Sequence, residues 1–189
     1  MNAEEVHLET RAQWRDWLAA HHDTDVGVWL VSWKRHTGRP AVGYDDAVCE
    51  ALAFGWIDST AGTVDAERSR MYFAPRRRGS GWARSNKQRL EALERDGLMT
   101  EAGRRVVQAA QDDGSWTLLD GVEDLVVPPD LAAALDSFPD ARRHWDAFPP
   151  GARRALLTWI VTAKRPATRE KRVAQTAAEA AEGRRANER

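Results

Sequence analysis

Apolar positions recur along the chain at a helical period, then at a strand period, then at a helical period to the end. Trp14, Trp17 and Leu18 stand at i, i+3 and i+4 within residues 10–21, which predicts an amphipathic helix. Residues 26–34, VGVWLVSWK, are rich in β-branched and aromatic side chains and predict a strand. The run His36–Pro40 reads as a turn. Residues 44–54 read as a short helix with Asp45 and Asp46 in its first turn, where the helix dipole favours them, and Gly55 stops it. Trp56–Asp58 and Arg70–Ala74 read as two short strands joined by a polar loop over 59–69, the second ended by Pro75.

From Gly79 to Gly97 the pattern turns helical, with Leu90 and Leu93 on a face that includes Trp82 and Asn86. A helix follows from about Glu101 to Ala110, then a mostly irregular crossing over 115–128. Only helices come after it, over 130–136, 139–147, 150–164 and 168–182, with Pro139, Pro149 and Pro166 at the joints. The expected fold is α+β: a small antiparallel sheet with helices over residues 1–126, a compact all-helical module over 127–185, and a tail over 186–189.

The inventory removes several classes of function. No run of about 18 apolar residues exists, so no membrane-spanning helix is expected. The opening MNAEEVHLET has neither a basic segment nor an apolar one, and the single Cys49 allows no internal disulfide; both lead to an expectation of a cytoplasmic protein. Cys49 stands among Val48, Ala51 and Leu52 and reads as a core cysteine. His21 and His22 beside Asp23 and Asp25 offer a weak metal set, read more simply as a helix end meeting a turn. No metal site and no cofactor is expected, since no zinc-type spacing, phosphate-binding loop or nucleophile elbow is present.

The formal net charge of -1 conceals segregation. Residues 1–67 carry 5 basic and 12 acidic side chains, residues 68–89 carry 8 and none, residues 90–152 carry 5 and 13, and residues 153–172 carry 7 and 1. Each basic block needs a counter-charge, which an internal acidic surface or an anionic ligand supplies. In the first block Arg76 and Arg77 offer paired donors suited to carboxylate or phosphate, and Ser80 stands where it would cap a helix beginning near Trp82. Trp82, Asn86 and Arg89 at i, i+4 and i+7 would line one stripe able to hold a planar polar ligand. The competing reading packs Trp82 in the core, lets Asn86 cap a backbone group and leaves the arginines solvated. Asp58 is the carboxylate of interest, as the counter-ion of an arginine in this block or as a general base. Lys34 and Trp56 are further candidates for the ligand site. In the second block Lys164, Arg169 and Arg172 form a secondary basic patch, with Lys164 in the last turn of one helix and Thr168 capping the next.

Several ordered stretches carry a family resemblance: VGVWLVSWKRHTG, YDDAVCEALAFGWIDS, MYFAPRRRGSGWARSNKQRLEAL, GLMTEAG, AAQDDGSW and WIVTAKRPATREKRV. They resemble the YdeI/OmpD-associated family, also labelled bacteriocin-protection proteins, and the segment from about Val127 to Gly183 looks like that family's helical OmdA-type C-terminal domain. Two positions depart from its usual pattern: Arg78 where an apolar residue or Pro is usual, and Ser59 where Gly is usual. The resemblance implies a role in stress or antimicrobial-peptide tolerance alongside a porin and a periplasmic location; the absence of an export signal speaks against that location. It implies no catalytic residues.

Four functions fit these residues. The leading one is a binding protein for an anionic, partly aromatic small molecule at Arg76, Arg77, Ser80, Trp82, Asn86 and Arg89. The second is an enzyme in the same cleft with Asp58 as base. The third, less favoured, is nucleic-acid binding through both basic blocks with Tyr72, Phe73 and Trp82 stacking on bases. The fourth is a partner-interaction module whose blocks neutralise its own acidic segments.

Overall fold

The computed structural model describes residues 3–187, and the chain divides into two compact units. The first runs to Ser80 and resumes over Ser85–Asp113; the second takes Gly81–Arg84 and everything from Gly114 onward.

The first unit is built on a four-stranded sheet: β1 (Glu5–His7), β2 (Val28–Trp33), β3 (Trp56–Thr63) and β4 (Arg68–Pro75), in the order β1-β2-β4-β3. β2, β4 and β3 are antiparallel, whereas β1 pairs with β2 in parallel, so the sheet is mixed. The α+β class holds. The three residues of the parallel strand carry one apolar side chain, too little for a periodic signal, so the sequence does not announce it.

The parallel connection requires a crossover, and helix α1 (Arg11–His21) supplies it. Thr10 opens α1 with a reciprocal cap: its side chain accepts from the Gln13 amide while the Gln13 side chain accepts from the Thr10 amide. Trp14 and Leu18 are fully buried, as their spacing predicts. Helix α2 (Tyr44–Ala53) buries Ala47, Val48, Ala51 and Leu52 on one face. Trp14 ties both helices to the sheet: its indole N–H donates to the Ala47 carbonyl at 3.0 Å, and its ring lies 5.2 Å from Phe73. Glu50 is 2% exposed between the helices and accepts from Arg11 at 2.5 Å and Arg15 at 2.6 Å. Two guanidiniums on one buried carboxylate satisfy a charge that would otherwise be costly to desolvate. Gly55 turns α2 into β3 at φ +79, a conformation that a side chain disfavours.

β3 and β4 are longer than their apolar residues suggest. The polar stretch 59–63, expected as part of a loop, pairs with β4 after a register shift between Asp58 and Ala61, and the turn is 64–67. The Asp65 carboxylate closes that turn by accepting from the Glu67 and Arg68 amides. Helices α3 (Arg84–Arg95) and α4 (Glu101–Asp112) follow, with Leu90 and Leu93 buried on α3.

The second unit is helical: α5 (Asp120–Glu123), α6 (Pro129–Asp136), α7 (Ala141–Ala147), α8 (Pro150–Val161) and α9 (Pro166–Ala181). Leu131, Leu135, Trp145, Leu157, Ile160 and Ala177 are fully buried in one core. Pro129, Pro150 and Pro166 sit at the helix starts, where a missing N–H costs nothing. α9 therefore begins at Pro166 and not at a Thr168 cap, and Lys164 lies beyond the end of α8. Among the described residues no helix is long and apolar enough to cross a membrane.

Candidate functional site

The register of β2 and β4 sorts the sheet into two faces. Val28, Leu30 and Ser32 stand opposite Phe73, Met71 and Ser69 on one; Trp29, Val31 and Trp33 stand opposite Tyr72, Arg70 and Arg68 on the other.

The first face is covered by α1 and α2 and holds a cavity of about 230 Å³. Leu30, Val42, Ala47, Met71 and Phe73 supply its apolar wall, Trp33 stands at its end, and Ser32, Ser69 and Tyr44 bring hydroxyls. Binding cavities for drug-sized ligands run from roughly 300 Å³ upward, so this one suits a smaller molecule. Tyr44 is the residue that sequence reasoning missed. It stands at the first position of α2, off that helix's apolar stripe, and 52% of it is exposed. Its hydroxyl donates to the Asp58 carboxylate at 3.0 Å. Partial burial, then the bond to Asp58, raise the Tyr44 pKa above the ordinary tyrosine value, while Arg89 opposes the shift.

Asp58 is thus held by a phenol, and among the described residues it forms no ion pair with an arginine; the expected counter-ion role is corrected. The hairpin carries Asp58 onto the covered face, opposite Phe73, and Arg89 finds Asp45 instead at 2.6 Å. Arg89 also donates to the Asn86 side-chain oxygen at 3.0 Å, so Asn86 and Arg89 do share one surface of α3. Burial is partial for Cys49, whose thiol it pushes up while Arg11 and Arg89 oppose it.

The rest of the expected constellation is dispersed. α3 begins at Arg84, so Trp82 precedes it and the helical stripe of Trp82, Asn86 and Arg89 does not form. Trp82 is 1% exposed in the second unit, 5.3 Å from Trp116, and Gly81 is packed against Leu119. Ser80 caps no helix; its hydroxyl donates to the Arg77 carbonyl at 2.7 Å and closes a tight turn through Gly79. Arg76 is half-buried, donates to the Ser80 carbonyl at 3.4 Å, and burial pushes its guanidinium down to about 10. Arg77 is exposed. Lys34 donates to the Asp65 carbonyl at 2.7 Å, and the Trp56 indole donates to the His22 carbonyl at 3.1 Å from within the core.

The secondary patch in the second unit is largely occupied internally. Arg169 grips Asp130 with two bonds at 2.7 and 3.0 Å, which holds the Asp130 carboxyl below its usual range. Arg172 donates to the Trp159 carbonyl and lies 5.0 Å over its ring, while Lys164 is exposed.

The comparisons with known proteins divide in the same order along the chain. Residues 6–106, more than half of its length, match the family described as Domain of unknown function (DUF8412). Residues 124–183 match the family OmdA, described as Bacteriocin-protection, YdeI or OmpD-Associated, which bears out the family resemblance over the C-terminal segment, while most of the N-terminal stretches that carried it fall within the DUF8412 match. No curated protein and no solved structure matches the chain.

Proposed function

Since the chain belongs to the DUF8412 family over its N-terminal half and carries an OmdA domain after it, we propose a function from the geometry of the first unit: binding of a small, partly aromatic anion. The carrying observation is the cavity between the sheet and α2, apolar on most sides with hydroxyls at its edge. An aromatic body fits against Leu30, Met71 and Phe73. The anionic head points past Tyr44 toward Arg89, which stands outside the cavity's lining and whose present partner Asp45 is 80% exposed and free to swing aside at little cost. OmdA's description, bacteriocin protection, supports a role in tolerance to bacteriocins.

Benzoate and benzyl alcohol are the probes, read by thermal shift and calorimetry on the whole chain. Benzoate raises the melting temperature, Arg89→Gln removes that gain, and Ser69→Trp, which fills the cavity, removes binding of both probes. Equal binding of benzyl alcohol with no effect of Arg89→Gln ends the anion reading. Binding of either probe undisturbed by Ser69→Trp ends the cavity reading.

A second reading, an enzyme in the same cavity, draws on the Tyr44–Asp58 hydrogen bond. Tyr44 lines the cavity and its phenol donates to Asp58, so a proton given up by the phenol has a carboxylate beside it to accept it. It predicts that a bound ligand is chemically altered and that Asp58→Asn preserves binding while abolishing the change.

A further inference from the structure

We propose that the open face of the N-terminal sheet binds single-stranded nucleic acid. This surface lies on the side of the sheet opposite the cavity's apolar wall of Leu30, Met71 and Phe73, and it shares Trp33 and Arg70 with the cavity's rim. Trp29 and Tyr72 meet edge to face at 5.2 Å, and His7 meets Trp33 likewise at 4.6 Å. Guanidiniums lie over both indoles: Arg70 is 4.3 Å from the Trp29 ring and Arg39 is 4.2 Å from the Trp33 ring. Arg68 approaches Trp33 more loosely, at 5.9 Å.

This arrangement presents planar cationic surfaces backed by aromatic rings. A base stacks on a guanidinium plane or on a ring, and the same guanidinium forks toward a phosphate. Trp29 and Trp33 are four residues apart on one strand, about 13 Å at the usual rise, so the face offers two stacking stations in a row. Val31, between them, is 3% exposed and forms an apolar floor.

The arginines have carboxylate partners in the free protein: Glu5 for Arg70, Asp65 for Arg68, and Glu67 for Arg39 at 3.7 Å. All three carboxylates are 41–56% exposed. Exposed pairs of this kind contribute little, so a phosphate can replace a carboxylate at small cost. Duplexes keep their bases stacked on one another and cannot use the stations. The stacking residues differ from those expected from sequence: Tyr72 is on this face, but Phe73 and Trp82 are core residues at 0% and 1% exposure.

The test is fluorescence anisotropy with labelled oligothymidylate and oligoadenylate on the whole chain, across salt. Binding is expected to weaken at least tenfold in Arg39→Gln and in Trp33→Ala. Three phosphate contacts give a log–log salt slope of about -2, and Arg39→Gln reduces it by about 0.7. Arg39 stands in an exposed turn, so that variant folds even if Trp33→Ala does not; melting curves confirm it. Arg169→Gln, in the second unit, leaves binding unchanged. The proposal is overturned by no binding at low salt, by equal binding of a duplex, by indifference to Arg39→Gln, or by a loss that follows Arg169. A proline-rich peptide captured on this face in place of the oligonucleotide overturns it as well.

Discussion

The two faces of the N-terminal sheet are drawn from alternate residues of the same strands, yet they solve opposite problems. On the covered face Phe73 is 0% and Leu30 2% exposed, because α1 and α2 lie over them. On the open face the rings of Trp29, Trp33 and Tyr72 are covered only in part, Trp29 and Trp33 by guanidiniums whose charges remain near water and Tyr72 by the edge of Trp29. The lesson is that aromatic content alone does not mark a core. What neighbours each ring decides, and Arg over Trp is a covering that a ligand can replace while Trp14 over Phe73 is not.

The sharpest test of this contrast removes one ring from each face. Phe73→Ala deletes a fully buried ring and costs about 3–5 kcal/mol of stability by urea unfolding. Tyr72→Ala, its chain neighbour, costs about 1 kcal/mol. Equal losses would mean that the open face is a second core. Gly27 limits Tyr72 from below: a Cβ there would come within 2.5 Å of the Phe73 carbonyl and 2.4 Å of the Tyr72 hydroxyl. Gly27→Ala is therefore expected to cost about 1–3 kcal/mol, because backbone on one side and a ring on the other must shift.

A smaller effect is expected from the ion pairs of the open face. Glu5→Gln removes the partner of Arg70 and changes stability by less than about 1 kcal/mol, since both side chains keep about a third or more of their exposure. If the face serves polyanions, the same change tightens oligonucleotide binding, because a competing carboxylate is gone. A loss above that size would make Arg70–Glu5 a structural bond and remove the reason to regard the face as exchangeable.

The contrast also separates what was legible in the sequence from what was not. Trp14, Trp17 and Leu18 announce α1, and β-branched residues announce β2, since those elements bury regular stripes. The 59–63 part of β3 buries no stripe at all; it is strand because β4 offers it a ladder. α3 starts at Arg84 and not near Trp82, which satisfies a helical spacing by coincidence, while the Gly and Ser residues before it favour a turn and its ring belongs to the packing around Trp116. Basic residues were legible as a block but not as a surface. Arg68 and Arg70 reach the open face through strand alternation, and Arg39 joins them from a turn thirty residues earlier, which no spacing rule connects. Tyr44 carries no motif; only the hairpin, fourteen residues on, brings Asp58 to its hydroxyl.

The smallest effect concerns that Tyr44–Asp58 bond, the polar seam of the covered side. Partial burial first, and Asp58 second, raise the Tyr44 pKa above its unfolded value near 10. A group with a raised folded pKa favours folding below its unfolded pKa, and that contribution disappears as pH rises through the folded value. Stability is therefore expected to fall above about pH 10, more steeply in the native chain than in Tyr44→Phe. Tyrosinate absorbance gives the direct reading. Asp58→Asn lowers the Tyr44 titration only partway, since burial remains, whereas Arg89→Gln raises it further because the opposing cation is gone. A titration in Asp58→Asn no different from the native one would mean that the carboxylate does not hold the phenol in solution. The covered face would then lose the acid–base pair on which the enzyme reading rests.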